Sequence, residues 1–139
     1  MQDRYRQLLT VCGAIAMGLL MLNAVLTYLY ASKQLPAASV PPAVPLALFA
    51  LSLLLLGAAS AVKRAVFKRA EAEGFEGDPD RRFAAYRTAT IVAFAMREAG
   101  GLIGFAMALM TGNPWWSWGL GGAALIAMYL DRPRAERLG

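Results

Sequence analysis

Two adjacent charged residues, Arg97 and Glu98, interrupt a long apolar stretch and are the residues best placed to carry chemistry in this chain. A charged side chain at the centre of a membrane helix costs about 2.5–3.5 kcal/mol on insertion scales, so such residues persist where a partner, a cavity or a function offsets that cost. Neighbours on a helix project about 100° apart, so we expect at least one of them to face another helix or subunit. We interpret them as an intramembrane charge pair, with Asn23 as the candidate polar partner.

This charge pair has two interpretations. The functional one is an ion or proton relay, or a counter-charge for a substrate. The structural one is an ion pair that locks a helix bundle. The structural interpretation is favoured, because no histidine and no second acidic residue occurs at a corresponding depth to continue a relay.

Small residues follow the charge pair along the same helix. Gly100 and Gly104 form a Gly-x-x-x-Gly step, which lets helix backbones approach closely. Gly119, Gly121 and Gly122 in the last apolar block are candidates for the opposing smooth face. The spacing favours packing between these two helices, and the alternative is an interface between copies of the chain.

Four basic residues follow the second apolar block: Lys63, Arg64, Lys68 and Arg69. Such a cluster can bind anionic lipid headgroups. It is also what topology marking alone would produce, because lysine and arginine accumulate on the cytoplasmic side of membrane helices.

The residue types exclude several classes of function. The chain has no histidine, which is the commonest transition-metal ligand and the usual axial ligand of haem, and it has one cysteine, Cys12. No nucleophile–base pair and no phosphate-cradling glycine loop is present, so we expect no catalytic residue, no metal, no cofactor and no enzymatic activity. The net charge of +5 lies at block ends rather than in a basic and aromatic stripe, so no nucleic-acid partner is expected.

The elements that must position these residues are transmembrane helices. Of 139 residues, 58% are hydrophobic and 17% charged, against about 45–50% and about 25% in soluble domains. A span needs roughly 20 apolar residues. The pattern predicts a single all-α domain over residues 1–139, an integral membrane four-helix bundle with a helical extension and loop at 63–82. The predicted spans are about 8–30, 45–62, 83–110 and 115–130.

Basic residues predict the orientation of this bundle. They are dense near the N-terminus, in the 63–87 region and in the tail after residue 131, whereas the linker after span one has only Lys33 and the 111–114 turn has no charge. Because basic loops stay in the cytoplasm, we expect both termini there, in a bacterial inner membrane.

Part of span three resembles a known family. The segment EAGGLIGFAMALMTGNPWW, residues 98–116, resembles the carboxylate-bearing helix of ATP synthase c subunits. The resemblance implies that Glu98 is an ion-binding carboxylate. The chain departs from that family in having Arg97 beside the carboxylate and no alternating glycines in spans one and two.

The chain as a whole resembles a set of uncharacterised small bacterial membrane proteins with four spans. The motifs that carry this resemblance are Arg87-Thr88, the step from Ala95 to Ala99, the turn Thr111 to Asn113, and Arg132-Pro133. The resemblance implies an architecture and no activity.

Two functions fit these observations. The first is a non-enzymatic accessory, assembly or structural subunit of a membrane complex, whose partners are the lipid bilayer and other membrane subunits or further copies of itself. The alternative is a small oligomeric ion or solute transporter or channel that uses Glu98 and Arg97.

Overall fold

A computed structural model describes residues 2–35, 39–74 and 77–134, and these residues form four α-helices. The helices are α1 (Gln2–Ala31), α2 (Ala43–Ala72), α3 (Pro79–Thr111) and α4 (Trp115–Leu130). The prediction of an all-helical chain is therefore confirmed. By length and composition, α1, α2 and α3 are each suited to cross a membrane.

The last helix, α4, is not a candidate span, which corrects the prediction of four spans. It has 16 residues, and at 1.5 Å per residue it is about 24 Å long. The hydrocarbon layer of a bilayer is about 30 Å thick. The sequence of α4 contains no charged residue, so its length alone sets it apart from the other three helices.

The helix boundaries follow from local capping chemistry. Helix α2 continues unbroken from its apolar part into the charged segment, and Gly74, with φ of 83°, follows its end. At the start of α3, the Asp78 side chain accepts hydrogen bonds from the backbone N–H groups of Asp80 and Arg81. Between α3 and α4, Gly112 adopts φ of 68°, and Asn113 Oδ1 accepts from the Trp115 N–H at 3.1 Å.

Helix α3 lies at the centre of the bundle. It packs against α2, α4 and α1, and α1 also packs against α4, whereas α1 and α2 make little contact with each other within the described residues. In their most apolar stretches, 44% of α3 is buried, against 17% of α1 and 11% of α2. The side chains that can carry chemistry on α3 therefore have neighbours on three sides.

The outside of the bundle is apolar. Met21, Leu46, Leu54 and Ile126 are each more than half exposed. A soluble monomer rarely exposes apolar side chains on this scale. Together with the three long apolar helices, this surface is that of a membrane protein.

Candidate functional site

A buried ion pair joins α3 to the end of α4. Arg97 is 3% exposed. Its Nη1 donates to Asp131 Oδ2 at 2.8 Å, and its Nη2 donates to Ser60 Oγ of α2 at 2.9 Å. One guanidinium therefore connects three helices, a task that suits the rigid fork of arginine donors.

Lys63 approaches the same carboxylate from α2. Its Nζ lies 3.1 Å from Asp131 Oδ1 and 5.4 Å from the centre of the Tyr86 ring. We call Ser60, Lys63, Arg97 and Asp131 the Asp131 network. The Lys63 side chain is 12% exposed, which corrects its assignment to lipid headgroups, because the inward-facing carboxylate and ring hold its ammonium inside the bundle.

The Asp131 carboxylate is held in its charged form. Burial works to raise its pKa, since a low dielectric disfavours the ionised carboxyl. The hydrogen bond from Arg97 and the positive charge of Lys63 together outweigh burial, so the pKa of Asp131 lies below its usual value. Two cations and one carboxylate thus occupy the network at neutral pH.

Arg97 and Glu98 do not form the predicted charge pair with each other. The carboxylate that binds Arg97 is Asp131, whereas Glu98 lies on the side of α3 that faces α1. A Cβ placed on Gly18 would be 3.8 Å from Glu98 Oε1. The rotation of about 100° between neighbouring residues accounts for the separation. Glu98 is half-buried, and within the described chain no hydrogen bond or ion pair reaches its carboxylate.

Asn23 bonds to α4 rather than to either charged residue, which corrects its predicted role. Its Oδ1 accepts from Ser117 Oγ at 2.8 Å, and its Nδ2 donates to the Leu19 carbonyl oxygen at 3.0 Å. Asn23 follows Gly18 by five residues, or about 7.5 Å along α1, and so lies beyond the reach of Glu98. It holds α1 to α4 instead.

The two glycines of the Gly-x-x-x-Gly step contact different helices. A Cβ on Gly104 would lie 2.7 Å from both Leu120 Cβ and the Trp116 carbonyl oxygen of α4, as the predicted packing of spans three and four requires. A Cβ on Gly100 would instead lie 3.0 Å from Leu56 Cγ of α2. Gly100 therefore packs against the opposite neighbour.

Within the part of the chain that the structure describes, Gly119 and Gly122 take no part in packing between helices, which corrects their assignment to the contact of spans three and four. A Cβ at either position would meet nothing within 4 Å. The close approach is at Gly121, where a Cβ would lie 2.5 Å from Asn23 Nδ2. The hydrogen bond from Ser117 to Asn23 shows that this face of α4, rather than the Gly119 face, lies toward α1.

The remaining predicted headgroup residues differ in their surroundings. Arg64 and Lys68 are exposed, and among the described residues neither has an ion-pair partner. Arg69 Nε lies 3.7 Å from Glu73 Oε1 in an exposed pair. Exposed pairs of this kind contribute about 0–1 kcal/mol. Because they are exposed and form no ion pair among the described residues, Arg64 and Lys68 remain available to an anion.

Sequence reasoning missed the residue at the centre of the site. Asp131 follows the last residue of α4 and adjoins a basic tail, so the sequence alone does not place it inside the bundle. The signal that could have identified it is the length of α4, because a short helix leaves its C-terminal flank beneath the level at which longer neighbours become polar. Ser60 and Ser117 carried no such signal.

No group of three or more histidine, cysteine, aspartate or glutamate side chains within the described ranges is arranged to hold a metal ion. Compared with known protein families, with curated proteins and with solved structures, the chain matches none of them.

Proposed function

We propose that the chain is a non-enzymatic accessory or assembly subunit of a membrane complex. The observation that carries the proposal is Glu98, a half-buried carboxylate in the apolar part of α3 that has no partner within the described chain. An ionisable residue inside a membrane helix indicates a functional contact, and its cost is offset when a partner supplies the opposite charge or a donor.

The membrane placement that supports this proposal follows from helix lengths. Lys63 comes 20 residues after Ala43, the first residue of α2, which corresponds to about 30 Å of helix and matches the hydrocarbon thickness. The Phe67 ring packs edge-on against Tyr86, and Ser52 Oγ donates to the Gly100 carbonyl oxygen. These contacts align Lys63 with the part of α3 near residues 89–90. Glu98 then lies about 12 Å inside the apolar layer.

In the proposed topology α1, α2 and α3 span the bilayer, α4 is too short to span it alone but returns the chain to the cytoplasmic side, and both termini lie in the cytoplasm of a bacterium. The distribution of basic residues supports this orientation. Helix α4 ends with Asp131 near the level of Lys63, at the cytoplasmic end of the apolar layer, and the cations of Lys63 and Arg97 offset the charge of that carboxylate.

The surroundings of Glu98 favour an external partner. Its half-buried carboxylate lies at the seam between α1 and α3, beside Gly18, which has no side chain to cover it. A lysine, arginine or amide side chain from a neighbouring transmembrane helix can reach a carboxylate at such a seam. Arg97 is unsuited to this task, because Asp131 and Ser60 occupy its guanidinium.

The test is co-purification from native membranes in a mild detergent, followed by native mass measurement. We expect the wild-type chain to carry a second membrane protein, or another copy of itself, at fixed stoichiometry. Glu98→Gln should release most of that partner without lowering the amount of the chain in the membrane. Glu73→Gln, which removes an exposed carboxylate from the end of α2, serves as the control and should release none. A wild-type chain that purifies as a bare monomer would contradict the proposal.

The transport alternative keeps support from Glu98 alone, since the contacts of Arg97 commit its side chain to the bundle. In that version Glu98 binds a proton or a cation at the seam between α1 and α3. Proton or cation flux into proteoliposomes of the purified chain, abolished by Glu98→Gln and retained by Glu73→Gln, would replace the assembly proposal with the transport one.

A further inference from the structure

A cavity of about 460 Å³ lies between α2 and α3, next to the Asp131 network. The volume falls in the range of about 300–1,000 Å³ that is usual for small-molecule sites. Arg64 and Lys68 enter it from α2, and Arg82 enters it from α3. We call it the basic cavity.

Charge distinguishes the basic cavity from an ordinary run of basic residues at a helix end. Lys63 and Asp131 also line it, and they form an ion pair with each other. The other charged residues that line it are the three cations Arg64, Lys68 and Arg82 and a single acid, Glu71. Among the described residues none of these three cations has an ion-pair partner.

Two helices supply these cations to one concave site. A topology signal requires only that basic residues lie on one side of the membrane. It does not require that α2 and α3 direct them into the same cavity. A concave site lined by one sign of charge concentrates counter-ions, and arginine binds phosphate through paired donors.

The depth of the basic cavity matches the headgroup layer. Lys63 follows the apolar part of α2, and Lys68 lies five residues further along the helix, or about 7.5 Å. Each headgroup region of a bilayer is roughly 5–8 Å thick. Phe67 and Ala89 supply apolar wall beside the cations. The cavity thus offers positive charge at phosphate depth and apolar surface beside it.

We infer that the basic cavity binds the phosphate group of an anionic phospholipid, held by Arg64, Lys68 and Arg82. This inference goes beyond the proposed assembly role and shares with it only the placement in the membrane. It also changes the set of residues expected to bind a headgroup. Arg82 is added to the set, and Lys63 and Arg69 are removed because they form ion pairs with Asp131 and Glu73.

The experiment is native mass measurement of lipid retention on the purified full-length chain, after exchange into mixed micelles that contain either phosphatidylglycerol or phosphatidylcholine. We expect one phosphatidylglycerol to be retained and phosphatidylcholine to be lost. Because each basic residue near a membrane surface contributes modestly to anion binding, Arg64→Gln with Arg82→Gln should weaken retention roughly tenfold or more.

The matched control is Arg69→Gln with Arg81→Gln. These residues come from the same two helices and carry the same charge, but they pair with Glu73 and Asp78 and do not line the basic cavity. The control should change retention by less than threefold. Equal losses in the two double variants would overturn the inference, as would equal retention of the two lipids by the wild-type chain, a result that needs no variant to fold.

A further arm separates lipid from free phosphate. Millimolar inorganic phosphate or glycerol phosphate should leave phosphatidylglycerol bound. Displacement by either soluble anion at that concentration would show a site for a soluble phosphate and would overturn the lipid assignment.

Discussion

The two ends of the bundle are held by different interactions. At one end, which we call the basic end, the Asp131 network joins α2, α3 and α4 through charged side chains. At the other, the turn end, Gly104 brings α3 against α4, and Asn23 bonds α1 to Ser117. Both arrangements follow from the position of α4, whose first residue is tied closely to α3 and whose last residue stops short of its neighbours.

The two kinds of contact, charged at the basic end and small-residue at the turn end, follow from how α4 is connected and where it ends. A turn of three residues between α3 and α4 forces the backbones together, so small residues are needed there. Sixteen residues later α4 ends beside helices that continue, and the polar flank of α4 must be neutralised. Charged side chains are therefore found where α4 ends before its neighbours, and glycine is found where α3 and α4 must approach closely.

The largest expected effect comes from breaking the basic end. Asp131→Asn leaves the cations of Arg97 and Lys63 without an anion in a buried site, which should lower the free energy of unfolding by about 3–5 kcal/mol. Arg97→Met with Asp131→Leu should cost less than Asp131→Asn alone, because Lys63 can extend its ammonium toward water. Thermal unfolding in detergent measures both.

Glu98→Gln is the adjacent control for that experiment. It should leave the stability of the isolated chain nearly unchanged, since no contact within the described residues is lost. Coupling energies can be obtained by comparing each double variant with its two single variants. A larger coupling energy between Arg97 and Glu98 than between Arg97 and Asp131 would contradict the geometry of the basic end.

The second effect concerns the turn end. Gly104→Ala places a methyl group 2.7 Å from a backbone carbonyl oxygen of α4, which cannot move without shifting the helix, so we expect a loss of about 1–3 kcal/mol. Gly119→Ala meets open space and should be neutral or slightly stabilising, because alanine is the better helix former. Chemical unfolding of the two variants makes the comparison, and equal losses would show that helix propensity rather than close approach dominates.

A third, smaller effect is the pH dependence of the melting temperature, which comes from Asp131 at the basic end. The pKa of Asp131 is lowered in the folded chain, so its contribution to stability is present at neutral pH and is lost as the pH falls below the usual aspartate range toward the folded pKa. The melting temperature of the wild-type chain should fall on acidification in that pH range. Asp131→Asn should lose less over the same window, and parallel curves for the two proteins would exclude Asp131 as the titrating group.

The smallest expected effect is at the contact of α1 with α4. Ser117→Ala removes the hydroxyl that donates to Asn23 Oδ1. Hydrogen bonds between membrane helices average about 0.6 kcal/mol, so the loss should be of that size. Thr10→Ala, which removes a hydroxyl bonded within its own helix, is the control. A loss above 2 kcal/mol for Ser117→Ala would place the Asn23 contact on a par with the charged network.

Much of the fold could be predicted from local sequence. Apolar runs and the turn at residues 111–114 are local features, and they place the C-terminal ends of α1 and α3 and both ends of α4 within one residue of the predicted bounds. Helices α1 and α3 begin at Gln2 and Pro79, several residues before the predicted starts at 8 and 83, because both extend beyond their apolar runs into charged segments. The partner of Arg97 could not be predicted in this way. Asp131 lies 34 residues away, and its contact depends on how far α4 extends beside α3.

The assignments of Gly119 and Gly122 were wrong for a related reason. Gly119, Gly121 and Gly122 all lie on α4, and small size alone does not say which of them faces a neighbour. The rotation of α4 about its axis depends on contacts between distant parts of the chain, among them the bond between Ser117 and Asn23 and the packing of Leu120 against Gly104. Spacing within one helix carries no information about that rotation.

The scarcity of contact between α1 and α2 has a consequence for biosynthesis. These helices emerge from the ribosome before α3 and α4, yet each packs mainly against partners that are made later, among them α3. Ser52 of α2, for instance, donates to a carbonyl oxygen of α3. About 40 residues separate the end of α2 from the end of α3, and synthesis at about 5–20 residues per second takes roughly 2–8 s. During that interval α1 and α2 have, within the described residues, little mutual interface to stabilise them, so insertion must hold two nearly independent helices until the third arrives.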